Sequence, residues 1–537
     1  MPEKSKMERG IPVLLFLLLM VRNCACGVAY YPQLDDYIQY HNYAGAESFR
    51  ALQASTGLLA SRPLAGLADY YIWAPLFDHM ILGVALISLL YVLAAVLLWK
   101  LLGRYFRLSP LFPVLVVLLP LGMEGTYWMS ASTRVVVGMV FAVLAAWAFL
   151  GWLDRGGGGR LAAYLVLQLL PFGFYEQAGI LSVVLTVGAA LLERGDLRRR
   201  AVSLWGVPAL GLYFLFTHLM ASGSVYSSRA ELLLPVTRYY WTVFFPDIMG
   251  QLRDVFLKGG FFTLAKGFVR GMRLVLSGQL ALWALGALAL CVLFWLCARR
   301  SPEERGKRRT GLALLAGVLL AAGPVSIFLV LGNPWFSMRG AVTSFPGLAL
   351  IADTLLLWLW DKLPFRGNGP VVLAACAALV FCVAGASETA DYRDTYENDQ
   401  RIARLVLDTL AEDQIDAGRV GILNLEASYL PNQNFYYHEH IHGCTESAWA
   451  FSGLLTAAGG GEHPSVSPLP SDPMYRAWNR EANHPSGFSV LYWFDGTDLI
   501  RASLTPEEDG YRVTDPAGRE LGRIWEEDGI GYIRGLN

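Results

Sequence analysis

The chain has 537 residues, of which 55% are hydrophobic and only 16% are charged, whereas soluble globular proteins average about 25% charged residues. Its 43 basic and 44 acidic residues leave a formal net charge of −1. This composition excludes an ordinary soluble domain and indicates an integral membrane protein. We expect membrane lipids among its partners and no nucleic acid.

Apolar runs recur between residues 11 and 386. A helix needs about 20 residues to cross about 30 Å of hydrocarbon, so we predict an all-α polytopic bundle of about eleven spans. The segments at 109–122, 161–175, 178–192 and 371–386 are short and are predicted to be tilted, sunken or re-entrant. The remaining predicted spans are 11–29, 76–99, 135–153, 201–219, 277–297, 310–331 and 341–360.

Basic residues concentrate in alternate short connections, such as 194–200 and 299–309. Lys and Arg are retained on the cytoplasmic side of membrane proteins. We therefore predict a multi-pass plasma-membrane protein with its N-terminus inside and its tail outside. A cleavable signal peptide is the alternative for the first apolar run, and it leaves the following loop outside as well.

The outer connection 220–276 alternates aromatic clusters, such as YYWTVFF, with basic residues. This pattern is typical of helices that lie in the membrane interface, with their basic residues at the level of the lipid phosphates. The alternative is a pair of helices packed on the bundle with ordinary solvated charges.

The composition becomes polar after residue 387, which predicts a membrane domain over 1–387 and a soluble extracytoplasmic α/β domain over 388–537. A helix at 402–410 is predicted to precede strands at VGILNLE, FSVLYWF, YRVTD and IGYIRG. The Gly/Pro-rich segment 457–473 is predicted to be a loop within this domain.

Ionisable residues at or inside the membrane boundary are rare, so those on the outer side are candidates for function. Glu176, in FGFYEQAG, is predicted to lie at the tip of a hairpin of two short spans, and its alternative role is to pair with an arginine such as Arg134. The other outer candidates are Asp35 and Asp36 in LDDY, Arg62 in SRPLAG, and Glu124 in MEGTYW.

Asp35 and Asp36 stand among several tyrosines in the first outer loop, 30–75. Adjacent residues on a helix point about 100° apart, so one carboxylate would act and the other would support it. A carboxylate here can serve as the general base for a hydroxyl group, and we slightly favour Asp36 because it lies one residue deeper in the loop. The alternative is a solvated acidic pair.

These features together resemble the GT-C glycosyltransferases: an N-in first span, the LDDY pair in the first outer loop, many spans, later outer acidic residues and an outward tail. The RPL of SRPLAG is most similar to the bacterial surface-polysaccharide glucosyltransferase branch. The resemblance implies a sugar donor on polyprenyl phosphate, a glycan or lipid-linked acceptor, and a base at Asp36 or Asp35. Glu176 and Glu124 are the next catalytic candidates.

The phosphate that leaves such a donor needs cations to stabilise its developing charge. Arg62, Arg134 and Arg339 are the outer arginines that could bind it. The sequence departs from the family in having no clear second Asp-x-Asp-type motif in a later loop. This departure leaves dependence on a divalent metal open.

A second group of candidate ligands alternates in NFYYHEHIHGC, where His438, His440, His442 and Cys444 would share one face of a strand. Histidines at such spacing are candidate zinc ligands, although same-face neighbours lie about 7 Å apart and rarely converge without a bend. The alternative is an acceptor-binding or simply solvated polar segment.

Two other functions are weighed beside glycosyl transfer. One is a transporter or flippase of a lipid-linked glycan, and the other is a non-catalytic assembly subunit. A transporter of this kind predicts broken helices and internal inverted repeats, and the sequence contains no repeat that we can detect.

Overall fold

The computed structural model describes residues 10–60, 62–193, 196–221, 232–299, 304–305, 309–332, 334–364, 367–425, 443–459, 463–469, 484–527 and 530–536. The chain forms two compact units. The first is Met1–Tyr30 with Ala46–Ala390, and the second is Tyr31–Gly45 with Asp391–Asn537. The second unit thus combines the tail with the LDDY stretch, a grouping that the sequence did not indicate. The domain border at residue 387 stays a prediction.

The α-helices are numbered in chain order. Those up to the middle of the chain are α1 (Gly10–Asn23), α2 (Leu34–Asp36), α3 (Asn42–Ala44), α4 (Phe49–Thr56), α5 (Pro63–Ala68), α6 (Met80–Gly103), α7 (Leu111–Leu118), α8 (Met123–Thr126), α9 (Met129–Arg155), α10 (Gly158–Phe174), α11 (Glu176–Leu192), α12 (Leu197–Ala201) and α13 (Gly206–Ala221). The others are α14 (Phe245–Arg253), α15 (Gly267–Leu276), α16 (Ala281–Ala298), α17 (Thr310–Val325), α18 (Met338–Ala341), α19 (Phe345–Trp360), α20 (Gly369–Glu412) and α21 (Ala448–Gly459).

Seven helical segments in the described part of the chain are long and apolar enough to cross a membrane. They agree with a multi-span helical bundle, whereas the number of eleven spans stays a prediction. The last predicted span and the polar helix after it form one continuous helix, α20. The seven segments are Pro63–Gly103, Met129–Arg155, Leu197–Met220, Ala281–Ala298, Thr310–Leu329, Met338–Trp360 and Gly369–Glu412.

Helices α10 and α11 form the hairpin predicted around Glu176. Only Tyr175 separates them, and its backbone is extended, with φ −157° and ψ 123°. At the open end of the hairpin, Arg104 Nη1 lies 3.6 Å from Asp154 Oδ2, just before α10, and Arg104 Nη2 lies 3.0 Å from Glu193 Oε1, just after α11. One arginine therefore links the end of α9, which leads into the hairpin, to the end of α11.

Charged side chains collect at both ends of the first unit. Arg107 lies 3.1 Å from Asp361. The two-residue strands β1 (Arg107–Leu108) and β2 (Glu304–Arg305) pair in an antiparallel arrangement. Loops predicted to be cytoplasmic therefore meet at one end. The 17 residues of α11 span about 26 Å between this end and Glu176. That length is close to the thickness of the hydrocarbon core, about 30 Å.

A continuous helical segment covers residues 238–276 and alternates α-helical and π-helical turns. Its buried residues recur mostly every fourth position, because wide π turns raise the average repeat above the 3.6 residues of an α-helix. The opposite faces expose large apolar side chains such as Trp241, Leu257 and Phe261. Both interpretations of 220–276 thus have support: the segment packs on the bundle and still carries exposed apolar residues. The buried residues are Tyr240, Phe244, Ile248, Val255, Gly259, Thr263, Gly267 and Gly271.

The second unit contains a seven-stranded sheet, which confirms that the tail includes strands. Strands β3, β4 and β5 pair in parallel and the later strands are antiparallel, in the order β4-β3-β5-β6-β7-β8-β9. One face covers a core that includes Trp493, Val513 and Ile524. The strands are β3 (Arg419–Leu423), β4 (Ser465–Leu469), β5 (Val490–Phe494), β6 (Leu499–Glu507), β7 (Gly510–Thr514), β8 (Glu520–Glu527) and β9 (Ile530–Gly535).

The prediction of a loop over 457–473 was wrong in part. Helix α21 continues to Gly459, and β4 lies within this segment. Val466 and Leu469 are buried in the strand, while Pro468 is tolerated because β4 is at the edge of the sheet, where one side of the backbone needs no ladder partner. The prolines suggested a loop, and the position at the edge explains why they fit a strand.

Candidate active site

Arg62 and Glu176 form an ion pair at one end of the first unit. Arg62 Nε lies 3.2 and 3.1 Å from the two carboxylate oxygens of Glu176, and the Tyr213 hydroxyl donates to Glu176 Oε1 at 3.0 Å. The guanidinium carbon of Arg62 also lies 4.6 Å from the centre of the Tyr175 ring. Arg62 is therefore held along one edge by a carboxylate and across one face by an aromatic ring.

The outer end of the Arg62 guanidinium is available for a ligand. Its contacts with Glu176 use Nε alone, and Nη1 and Nη2 hydrogen-bond to none of the residues that the structure describes. The side chain of Arg62 is 24% exposed and that of Glu176 is 14% exposed, so the cation is the more accessible partner. Two parallel terminal N–H groups match the oxygens of a phosphate group.

Glu124 is buried and holds the loop that carries Arg339. Ser337 Oγ donates to Glu124 Oε1 at 3.0 Å, and the backbone N–H of Arg339 donates to Glu124 Oε2 at 3.0 Å. Arg339 Nε lies 3.2 Å from Glu124 Oε1. Gly125 allows this approach, because a Cβ there would come within 3.0 Å of the Arg339 backbone. Glu124 thus fixes the start of α18 and the arginine within it.

The two ion pairs both lie near Tyr175. The Tyr175 phenol interacts electrostatically with Arg62, Arg339, Glu176 and Glu124. A direct link joins the neighbouring residues of the two pairs, since Gln177 Nε2 donates to the carbonyl of Gly340 at 3.2 Å. The fold thus brings together four of the residues predicted from the sequence.

Arg134 is bound elsewhere and is not the partner of Glu176. It forms an ion pair with Asp69 and donates to the Ser130 carbonyl. Asp69 is fully buried, and the Arg134 side chain is only 10% exposed. This pair stabilises the start of α9 and is less accessible than Arg62. The suggestion that Glu176 pairs with an arginine agrees with the structure, but the arginine is Arg62.

Asp35 and Asp36 belong to the second unit and differ in exposure. Asp36 is fully buried, and its Oδ2 accepts a hydrogen bond from the backbone N–H of Gln33 at 2.9 Å, which closes a capping box at the start of α2. Asp35 is partly exposed. Burial raises the pKa of the adjacent Tyr37 phenol well above its usual value, so this ring stays neutral. The two carboxylates differ in exposure, as expected for neighbours on a helix.

The proposed zinc ligands His438, His440 and His442 lie outside the described residues. Within the part of the chain that the structure describes, no group of three His, Cys, Asp or Glu residues could hold a metal ion. Cys444, which follows the histidines, is buried, and its backbone N–H donates to the carboxylate of Asp399 at 3.0 and 3.2 Å. Dependence on a divalent metal stays open.

Three residues that hold the predicted charged residues were missed from the sequence: Tyr213 and Ser337 at the site, and Asp69 beside Arg134. Tyr213 lies within an apolar span and Ser337 is an ordinary polar residue, so neither carries a signal in a single sequence. Asp69 had a signal, because a carboxylate in LADYYIWAPL stands directly before an apolar span. Its position resembles that of Glu124, and both carboxylates hold an arginine.

Comparisons with known proteins give a limited result. No family model matches the chain, and no curated protein matches it either. Among solved structures, the chain is similar to the single-particle cryo-EM structure of the arabinofuranosyltransferase AftD from Mycobacteria, with a TM-score of 0.41 and 14% sequence identity. The similarity covers 95% of this chain and 36% of that one, so this chain spans about a third of its length. A TM-score of this size does not establish a shared fold.

Proposed function

We propose that this protein is a membrane glycosyltransferase of the GT-C kind, which transfers a sugar from a polyprenyl-phosphate donor to an extracytoplasmic glycan or lipid-linked acceptor. The observation that carries the proposal is Arg62, whose Nη1 and Nη2 have no partner among the described residues while Nε is held by Glu176. A fixed guanidinium with an open fork is suited to the phosphate of such a donor.

The charges near Tyr175 suggest how the leaving phosphate would be stabilised. Arg62 would bind its oxygens directly, and Arg339 would add positive charge nearby. Donors fixed before the reaction stabilise developing negative charge without having to reorganise. Glu176 and Glu124 would act as positioning residues, because their carboxylates are already engaged by arginine, hydroxyl and backbone donors.

The general base is proposed to be one carboxylate of the LDDY pair, as the resemblance implies. Accessibility favours Asp35, which is partly exposed, over Asp36, which is buried and caps α2. The preference for Asp36 stays a prediction. The charge pattern favours an N-terminus inside and a tail outside, as the resemblance implies, and epitope tags at the C-terminus and at 299–309 test this orientation.

The proposal is tested with purified protein, a synthetic polyprenyl-phosphate sugar and cell-envelope glycan fractions as acceptors. We expect the release of polyprenyl phosphate to depend on both the protein and an acceptor. Movement of the intact donor across a proteoliposome membrane, without cleavage, would instead support the alternative, a transporter or flippase. If the protein binds the donor but neither cleaves nor moves it, the result would support a non-catalytic assembly subunit.

A further inference from the structure

The outer face of the antiparallel sheet in the second unit carries a row of three arginines. Arg512 on β7 lies directly opposite Arg523 on β8, and Arg523 lies directly opposite Arg534 on β9. Adjacent strands are about 4.8 Å apart, so the three residues stand within about 10 Å along the row. All three side chains are exposed to solvent. Like charges directly opposite each other destabilise a sheet, so this row is unfavourable for the sheet alone.

Nearby carboxylates offset only part of this charge. Glu507 lies 3.1 Å from Arg512 Nε and 4.0 Å from Arg523 Nη1, and Glu520 lies 3.2 Å from Arg523 Nε. Arg534 forms no ion pair with any residue that the structure describes. Two carboxylates therefore serve three guanidinium groups, and the uncompensated cation is the one on the edge strand.

An aromatic pair occupies the next row of the same face. Trp525 on β8 lies opposite Tyr532 on β9, and their rings stack with centroids 5.4 Å apart and an interplanar angle of 12°. Residues i and i+2 of a strand share a face and lie about 7 Å apart, so Tyr532 is next to Arg534 and Trp525 is next to Arg523. A sugar ring against these aromatic side chains could place a charged substituent beside the arginines.

The other side of Trp525 is open. Its partner in β7 is Gly510, which has no side chain to cover the indole. A cavity of about 640 Å³ at this end of the strands is lined by Gly510 and Trp525 of this face and by Tyr511, Ile524 and His484 from the core side. Carboxylates at the end of the strands, Glu508, Asp509, Glu526 and Glu527, also line it. These carboxylates can accept hydrogen bonds from hydroxyl groups but repel an anion, so a negative group must lie toward Arg534.

We infer that this face binds an anionic saccharide, with sugar rings against Trp525 and Tyr532 and a carboxylate or phosphate substituent at Arg523 and Arg534. The inference rests on the proposed function, because it gives the acceptor glycan a chemical class. Hydroxyl-rich rings suit the aromatic and acidic part of the surface, and the negative substituent suits the arginine row.

The test is equilibrium binding of the purified full-length chain to a fluorescent galacturonic acid oligomer. The matched ligand is its methyl-esterified form of the same length, which keeps the rings and lacks the charge. We expect the acid form to bind more tightly. Hydrogen bonds to charged groups contribute about 1.5–3 kcal/mol, so Arg534→Gln and Arg523→Gln should each weaken binding of the acid oligomer by about tenfold or more. Higher salt should weaken the same binding.

Arg519→Gln is the matched control, because Arg519 is an exposed arginine of the same unit that pairs with Asp515 in a turn outside the row. Trp525→Ala should weaken the binding of both oligomers, because it removes a ring surface that both would contact. Equal binding of the two oligomers, or equal losses for Arg519→Gln and Arg534→Gln, would overturn the inference. The binding measurement needs no sugar donor. If the protein transfers sugar but binds the two oligomers equally, this inference is contradicted and the proposed function is not. Binding of the acid form without any transfer contradicts the proposed function alone.

Discussion

Arg62 Nε lies 3.1 Å from Glu176 Oε2, although 114 positions separate the two residues in the chain. The contact joins the start of α5 to the tip of the α10–α11 hairpin and uses only Nε, which leaves the two terminal nitrogens of Arg62 without a hydrogen bond to any described residue. Both carboxylate oxygens of Glu176 are engaged, whereas Arg62 uses only Nε. We therefore expect Arg62 to bind a ligand and Glu176 to position Arg62.

Replacing Arg62 with Gln should lower sugar transfer by about 10²-fold, the usual loss when one fixed donor to a developing anion is removed. Release of polyprenyl phosphate by the purified variant measures the effect. Arg50→Gln is the control, since Arg50 is an exposed arginine of the same predicted outer loop. Unchanged transfer in Arg62→Gln, with the protein folded, would remove Arg62 from the phosphate site.

Replacing Glu124 with Gln tests whether this carboxylate positions Arg339 or acts as a base. It accepts bonds from the Ser337 hydroxyl and the Arg339 backbone and pairs with the Arg339 side chain. Weakening these buried hydrogen bonds lowers the free energy of unfolding by about 1–3 kcal/mol. The melting temperature in detergent should therefore fall together with the rate of sugar transfer. A large loss of transfer at an unchanged melting temperature would instead indicate a base.

The variants Asp35→Asn and Asp36→Asn should be unequal. If Asp35 is the general base, its Asn variant keeps the size and loses the ability to take a proton, so transfer should fall by about 10²–10⁴-fold. Asn at position 36 can still cap α2, because its side-chain oxygen accepts from the Gln33 N–H, and a smaller loss is expected. Near-normal transfer in the double variant would exclude the pair from the mechanism.

The glycines of the 238–276 segment provide a matched test of its packing. A Cβ at Gly271 would come within 2.0 Å of the Val383 carbonyl oxygen, whereas a Cβ at Gly260 meets no atom within 4 Å. Gly271→Ala should therefore destabilise the protein by about 1–3 kcal/mol through overpacking. Gly260→Ala should be neutral or slightly stabilising, because Ala favours helix over Gly. Equal melting temperatures for the two variants would show that the segment does not pack on α20 in this way.

Acid should destabilise the second unit partly through Asp495. Hydrogen bonds from the backbone N–H groups of Asp498 and Thr497 hold the pKa of Asp495 below its usual value. A carboxyl whose pKa is lower in the folded state stabilises it above the unfolded-state pKa, about 3.9, and this contribution is lost as the pH falls through the folded-state value. The melting temperature of Asp495→Asn should therefore change less than that of the parent between mildly and strongly acidic pH.

Asp498→Asn is the control for this measurement, because the Asp498 carboxylate accepts no hydrogen bond from the described residues. Its melting temperature should follow that of the parent protein across the same pH range. If Asp495→Asn and the parent lose stability equally as the pH falls, the hydrogen bonds to Asp495 do not contribute to acid sensitivity.

The sequence predicted the hairpin and the charged residues at its tip, because short apolar runs and a lone carboxylate such as Glu176 are local signals. It could not predict that Glu176 pairs with Arg62 and Glu124 with Arg339, since pairing depends on how distant loops meet. The grouping of Asp35 and Asp36 with the tail was not predictable for the same reason. Pro468 misled the prediction of β4, because edge position is a property of the sheet and not of the local sequence.

The single-residue turn at Tyr175 makes the length of the hairpin a constraint on evolution and on engineering. Arg104 links the end of α9 to the end of α11, through Asp154 and Glu193, so the number of residues in α11 sets the position of Glu176. Inserting one residue within α11 would turn Glu176 by about 100° and move it about 1.5 Å along the axis, away from Arg62. The turn before α10 is also constrained, because Gly156 and Gly157 have φ values of 66° and 93°, which L side chains rarely adopt.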